Sequence, residues 1–549
     1  MAFLSRLFIF IALLSVHVHF IFSVTDNGDA AVLKSLKDSW QNTPPSWQNS
    51  SDPCTSWHGV SCQSSRVAAL ELTSMGLVGN LTGDIGGLTE LQSLDLSFNE
   101  GLTGSIPQQI GDLQKLEILV LAGCNFSGII PEEIGNLTEL SFLALFSNFF
   151  SGAIPPSLGK LSRLYWLDLA DNQLSGTIPV STQNSLGLDL LKNVKHFHLE
   201  KNHLSGSIPP QLFSSDMALF NIFLDGNQLT GTIPSTLGLV HTLKVLQLDG
   251  NALTGQVPSS LNNLTSLNKL NLANNNLTGP FPDLSLMKNL NYVDLSNNSF
   301  DPSEAPAWFS TLSSLTTLIV EHGSLQGLVP AQLFSFPYIY QVRLRNNSFN
   351  GTLDLAGEIG SFLQLIDLEN NQISALALSA GNQNSNYTLN LAGNPLCTQS
   401  LSNVSFCRGL QQVGKPYSTS LAQCGGKSCP SDEKLSPQNC ECAYPYEGEM
   451  SFRAPSLRDL SNVTLFHSLE MSLWVQLGLN PGSVFLQNPF FNTEAYLQVQ
   501  VALFPSVGLY FNRPEVGRIG LQFANQTYKP PLEFGPYFFV ASPYHFPGY

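Results

Sequence analysis

The sequence predicts an α/β solenoid of about 14 short coils, capped at both ends and followed by a small α+β module. Three observations predict it. The pattern L-x-x-L-x-L-x-x-N recurs fourteen times between Val67 and Leu396, with Asn at the last position except at Met75, Cys124 and Gly323. Twelve of the thirteen steps are 23 to 25 residues, and the one of 30 carries an insertion around Gln183–Asp189. Eight of the nine cysteines fall in two short regions at the ends of this array, where stapled caps belong. From Cys424 onward the repeat stops and the hydrophobic pattern becomes that of mixed strands and helices.

The chain has 549 residues, too many for one compact core. Its net charge of −16 repels phosphate backbones, so nucleic acid is excluded as a partner, and adhesion to an anionic membrane is disfavoured. Arg6 precedes an apolar run from Leu7 to Leu14 that extends raggedly to Phe22. Residues 1–23 therefore read as a secretory signal peptide. After residue 24 no apolar stretch reaches the ~20 residues needed to span a bilayer. Thirteen N-x-[ST] sequons also fit the secretory pathway and an extracellular location.

Residues 24–66 form the first cap. Ala30–Trp40 reads as an amphipathic helix, followed by Trp47 and by Cys54 and Cys62. Residues 67–396 are the solenoid. In each L-x-L the two leucines point inward and the residues between them point out, giving one short strand per coil. At ~4.8 Å per strand, fourteen coils line about 65 Å of concave sheet. The Asn turns inward at the bend, where its amide must satisfy backbone groups of adjacent coils. Cys124 takes that place as a buried thiol. Eight successive coils continue with a [ST]-G-x-[IVF]-P-like segment, such as Thr103–Pro107 and Ser205–Pro209. This variant resembles the plant-specific class of leucine-rich repeats. The first cap is similar to the N-terminal cap of those proteins, which implies a Cys54–Cys62 disulfide. Asn394–Cys397 closes the last coil, with Cys407 as the expected partner of Cys397.

Residues 397–442 are a cysteine-rich cap and linker, and 443–549 an α+β module. Strands are expected near Glu449–Ala454, Val484–Leu486, Tyr496–Phe504 and Tyr537–Ala541. Phe466, Leu469, Leu473 and Leu477 make a helical stripe, and a weaker helix covers Pro514–Phe523. That order is the split β-α-β pattern of ferredoxin-like modules, with a β-sandwich as the alternative. Cys440–Gly448, Ser451–Pro455, Ser468–Val475 and Phe534–Tyr537 resemble the juxtamembrane module of a subgroup of plant leucine-rich-repeat receptor-like kinases. That subgroup includes a receptor for extracellular hydrogen peroxide. The resemblance implies an ectodomain on the apoplastic face of the plasma membrane, with a membrane span and a Ser/Thr kinase absent from this chain.

No catalytic motif is present: there is no G-x-x-x-x-G-K-[ST], H-E-x-x-H, G-x-S-x-G or kinase motif, and no cofactor or metal site is expected. Scattered acids on the coils read as solvated strand faces. The concave face carries Phe142, Phe146, Trp166, His196, His198 and Phe223 at outward positions, an exposed aromatic patch suited to a peptide, small-molecule or protein ligand. Further along, Arg343 and Arg345 share columns with Glu321, Asp367 and Glu369. They fit either cross-strand charge pairing or capture of a ligand carboxylate. Cys424, Cys429, Cys440 and Cys442 are either a redox sensor or an inert staple. A Cys440–Cys442 ring would be strained and labile, whereas pairs from Cys424 and Cys429 across to Cys440 and Cys442 would brace a small lobe. The expected function is extracellular recognition or sensing for a receptor-like kinase, with a leucine-rich-repeat co-receptor as a further partner. The alternatives are a redox sensor and a soluble inhibitor or decoy.

Overall fold

A computed structural model describes residues 24–48, 52–379, 387–397, 404–409, 415–453, 455, 457, 459–492 and 496–547. The expected signal peptide lies outside these residues. No helix among them is long and apolar enough to cross a membrane.

The first cap begins with helix α1 (Asn27–Ser39), whose start is fixed by Asp26 accepting from the Gly28 and Asp29 amides. Buried Asp29 receives Arg66 Nε and Nη2, each at 2.9 Å, and the Val67 amide at 2.8 Å, so one carboxylate ties the helix to the first coil. Trp47 and Trp57 stack at 4.6 Å, and Cys54 bonds Cys62. The cap's strand Val60–Gln63 pairs antiparallel with Arg66–Glu71 and opens a fifteen-stranded sheet. The other fourteen strands are parallel, one per coil, ending at Thr388–Asn390. Their inward leucines lie mostly at or near zero exposure, in one continuous core that no single coil could close on its own.

The bend residue works as the repeat pattern requires. Asn148 Nδ2 donates to Leu121 O and Leu145 O at 2.8 and 3.1 Å, while its Oδ1 accepts from the Phe126 amide at 3.0 Å. One amide thus joins successive coils, and the arrangement recurs down the ladder to Asn394. Cys124 fills one rung with its Sγ 3.3 Å from Leu96 O, unpaired, and burial pushes its thiol up to about 12. Met75 and Gly323 interrupt the ladder, and neither supplies an amide. On the following edge, eight successive glycines from Gly104 to Gly279 turn at φ between 72° and 82°. That backbone region explains why the position is Gly in each of these coils.

After the last coil, Cys397 bonds Cys407. The four later cysteines pair Cys424–Cys440 and Cys429–Cys442 beside a two-stranded ladder, Lys434–Leu435 with Cys442–Ala443.

The C-terminal module is strand β1 (Tyr446–Phe452), helix α2 (Val463–Gln476), strands β2 (Val484–Phe491) and β3 (Leu497–Leu503), helix α3 (Arg513–Ala524) and strand β4 (Tyr537–Ala541). They build one antiparallel sheet in the order β2-β3-β1-β4. A single sheet replaces the sandwich alternative. The expected stripe of Phe466, Leu469, Leu473 and Leu477 is fully buried. Strand β1 begins three residues earlier than the sequence suggests, because Tyr446 reaches back to the first coil.

Candidate functional site

The concave sheet is not open. The module nests against it, and its contacts run from the first coil to the twelfth. Tyr446 Oη and Ser74 Oγ hydrogen-bond at 2.6 Å. Phe539 meets Phe98 edge-on with centroids 6.0 Å apart, and Phe538 lies 5.6 Å from Phe146. Tyr496 donates to Asp225 Oδ2 at 2.6 Å, with Lys201 Nζ 4.0 Å above its ring. Lys269 Nζ donates to Pro455 O at 3.2 Å, and Tyr340 donates to Asp459 Oδ2 at 3.4 Å.

The centre of this joint is Arg453, which follows directly on β1 and is 1% exposed. Its Nη2 donates to Asp168 Oδ2 at 2.8 Å, its Nη1 donates to His198 Nδ1, and Glu200 Oε1 lies 3.0 Å from its Nε. Nε is aimed away from that oxygen, so the Glu200 contact is coulombic rather than a hydrogen bond. Phe538 and Phe146 flank the guanidinium at 5.1 and 5.8 Å.

Burial sets the charge state of this cluster. It pushes Asp168 up, but Arg453 and His198 overcome that and hold its carboxyl below the usual range. For Glu200 burial wins over Arg453, and its carboxyl is carried well above the ordinary value. Burial and then Arg453 lower His198 to about 4 against the pull of Asp168, and burial followed by His198 and the nearby lysines lowers His196 to about 2. One guanidinium therefore faces a carboxylate that it holds ionised, a second acid whose ionisation burial disfavours, and two imidazoles kept neutral. This is how a buried joint can hold so many polar groups.

The aromatic patch predicted to be exposed is thus covered by the chain's own module. Phe142, Phe146, Trp166, His198 and Phe223 are buried and His196 is half-buried. The rings do cluster: Phe142 stacks on Trp166 at 5.4 Å, Trp166 lies 4.2 Å from His196, and His198 lies 4.8 Å from Phe223. Their exposure was inferred from an empty groove, and β1 and β4 fill it. The same error applies to the acids read as solvated: Asp168, Glu200 and Asp225 are at most 1% exposed. Sequence reading missed Arg453, Tyr496 and the role of these acids. The one available signal was the run of Asp168, Glu200, Asp225 and Asp249 on consecutive coils, which needs a cation from elsewhere in the chain.

At the margin of the module's reach, Arg345 lies 3.3 Å from Glu369 and 3.8 Å from Asp367, and Arg343 Nε donates to Gln341 at 3.3 Å. Arg345 is engaged in cross-strand charge pairing. The redox candidates Cys424, Cys429, Cys440 and Cys442 are all in disulfides, and the strained Cys440–Cys442 ring does not form. The pairs run from Cys424 and Cys429 across to Cys440 and Cys442, the bracing arrangement.

The fold and its capping define a leucine-rich-repeat protein. The family described as Leucine rich repeat N-terminal domain matches residues 26–63, and Leucine Rich Repeat matches 115–137, 163–185, 242–264 and 266–286. Within that class the chain is homologous to the plant receptor-like kinases. It is 47% identical over 98% of its length to a probable leucine-rich repeat receptor-like protein kinase of Arabidopsis thaliana, covering 57% of that protein. A probable LRR receptor-like serine/threonine-protein kinase of the same organism is 31% identical over 47% of this chain and 29% of its own. The chain thus spans about half or less of the length of these relatives. Among solved structures, PEPR1–AtPEP1 superposes with a TM-score of 0.57 at 27% identity, over 68% of this chain and 60% of that one.

Proposed function

We propose that this chain is the extracellular recognition region of a plant receptor-like kinase, in which solenoid and module act as one docked unit. The observation that carries the reading is the homology to such a kinase along nearly the whole chain, module included. A secretory location, and coupling of an apoplastic signal to a kinase, follow from the same reading. Because the middle of the concave sheet is occupied, a peptide, small-molecule or protein ligand meets the docked pair rather than a bare groove. The surface that fits is a polar cleft of about 630 Å³ between the open face of the module's sheet and the rim of the coils. Glu449, Gln498 and Gln500 line one wall, and Ser147, Asp171 and Lys201 line the other. Such convergent polar groups at a junction between two units are the usual setting of a binding site. A leucine-rich-repeat co-receptor is the further partner this reading implies.

The test is a chimera in which this chain replaces the matching region of the Arabidopsis relative. Signal-dependent autophosphorylation should be retained, and Gln498→Ala with Gln500→Ala should weaken it while the protein still reaches the cell surface. A chimera that reaches the surface yet stays silent wherever the relative responds would overturn the proposal.

A further inference from the structure

A second groove lies on the other side of the joint, where the start of α2 meets the twelfth and thirteenth coils. It has a volume of about 390 Å³ and is lined by Tyr338, Tyr340, Phe362, Leu457, Asn462 and Thr464, among others. Tyr338 and Phe362 are 59% and 58% exposed, an unusual investment of aromatic surface in water. Asn462-Val463-Thr464 is one of the thirteen sequons, so the acceptor Asn and its Thr both line this groove.

The geometry of Asn462 suits a modified side chain. Its Oδ1 caps α2 by accepting from the Leu465 amide at 3.1 Å, a role that glycosylation leaves intact. Its Nδ2 points toward Tyr340 Oη, 3.5 Å away and at the limit of a hydrogen bond, and so toward the groove. Val463 and Thr464 are exposed, and the backbone at Asn462 is extended.

We infer that Asn462 carries an N-linked glycan whose first N-acetylhexosamine rests on the Tyr338, Tyr340 and Phe362 surface, pinning the start of α2 to the late coils. This rests on the secretory reading above. In the transfer, Asn462 Nδ2 bonds to the anomeric carbon of a lipid-diphosphate-linked oligosaccharide. The anomeric C–O bond breaks, its electron pair leaves with the lipid diphosphate, and one amide proton is lost to a base of the transferring enzyme. One N–H remains on Nδ2. The apolar C–H face of the sugar then covers rings that would otherwise meet water, while the tyrosine hydroxyls stay wet at the edge.

The experiment uses the full chain secreted from plant cells, with glycopeptides mapped by mass spectrometry and melting followed on the native protein. Asn462 should be occupied. Thr464→Ala should abolish that occupancy, keep the Oδ1 cap and lower the melting temperature, whereas Thr464→Ser should restore both. The paired change Tyr338→Ala with Phe362→Ala should erase the melting difference between occupied and unoccupied protein. As a readout independent of folding in the variants, native enzymatic release should be slower at Asn462 than at the exposed Asn80 and Asn276. Glycans at Asn80 and Asn276 with Asn462 bare would overturn the inference and leave secretion standing. No glycan at any sequon would overturn both. Occupancy at Asn462 with a melting difference indifferent to the two aromatics would remove the groove as its seat.

Discussion

Two arginines on the concave side of this molecule meet carboxylates, and burial separates them. Arg453 enters from the module and is sealed between Asp168, Glu200, His198 and two phenylalanines. Arg345 belongs to the solenoid and meets Glu369 and Asp367 at the margin of the covered region, with its side chain 32% exposed. The list of partners is nearly the same, and the energetics are not. At the half-buried Arg345 and Glu369, water and salt still reach the pair and screen part of the attraction. In the buried joint each group has lost its water, so the cluster is stable only while complete. A concave charge on this scaffold therefore cannot be assigned a role until what covers it is known.

The sharpest way to break the comparison is to remove the buried partner. Arg453→Ala leaves Asp168 without its counter-charge and should destabilise the docked module by roughly 3–5 kcal/mol. Calorimetry and limited proteolysis between the last coil and β1 should report it, and a loss under 1 kcal/mol would show that the cluster is not what holds the joint. Acid should be next. His198 is neutral in the joint with its pKa lowered to about 4, and undocking would return it toward 6.5. Its depressed value contributes stability that is complete above 6.5 and is lost as pH falls toward 4. That limb is worth about 3 kcal/mol, and His198→Gln should shrink it in melting curves taken across the window, leaving the part that His196 contributes with the same sign. Glu200 and Asp249, raised by burial, act in the opposite direction and favour docking until pH climbs through their elevated values. Tyr496→Phe deletes one hydroxyl and leaves Asp225 Oδ2 buried without its donor, a loss of about 1–3 kcal/mol in denaturant titration. Arg345→Ala should change stability by less than about 1 kcal/mol. A larger effect would mean that the half-buried pair is as tightly built as the fully buried one.

The solenoid was legible because its signal is local and repeated. A period of about 24 residues placed every concave strand, and the Asn rungs at Asn148, Asn172 and their successors lie where the pattern puts them. The elements of the module were legible for the same reason: α2 carries its apolar stripe at helical spacing. The docking of one on the other was not. The decisive contacts join residues 255 and 285 positions apart, and no period reports a distance of that kind. Lacking them, Trp166 and Phe146 looked like bait for a foreign ligand, and Asp168 and Glu200 looked hydrated. In the motif around Ser451–Pro455, Arg453 stood out only as part of a resemblance. Its chemistry became readable once Asp168 and Glu200 opposite it were in view.

The module's reach has a mechanical consequence. A stack of identical coils behaves like a leaf spring, in which curvature is shared among many soft joints and small rotations add up along its length. Here Tyr446 is fastened to Ser74 near one end, and Asp459 meets Tyr340 near the other. The inside of the arc is therefore cross-braced, as a strut braces a bow. Opening or tightening the arc must shear the Arg453 cluster at the middle of that strut, so a push at either tip is transmitted to the centre instead of being absorbed coil by coil.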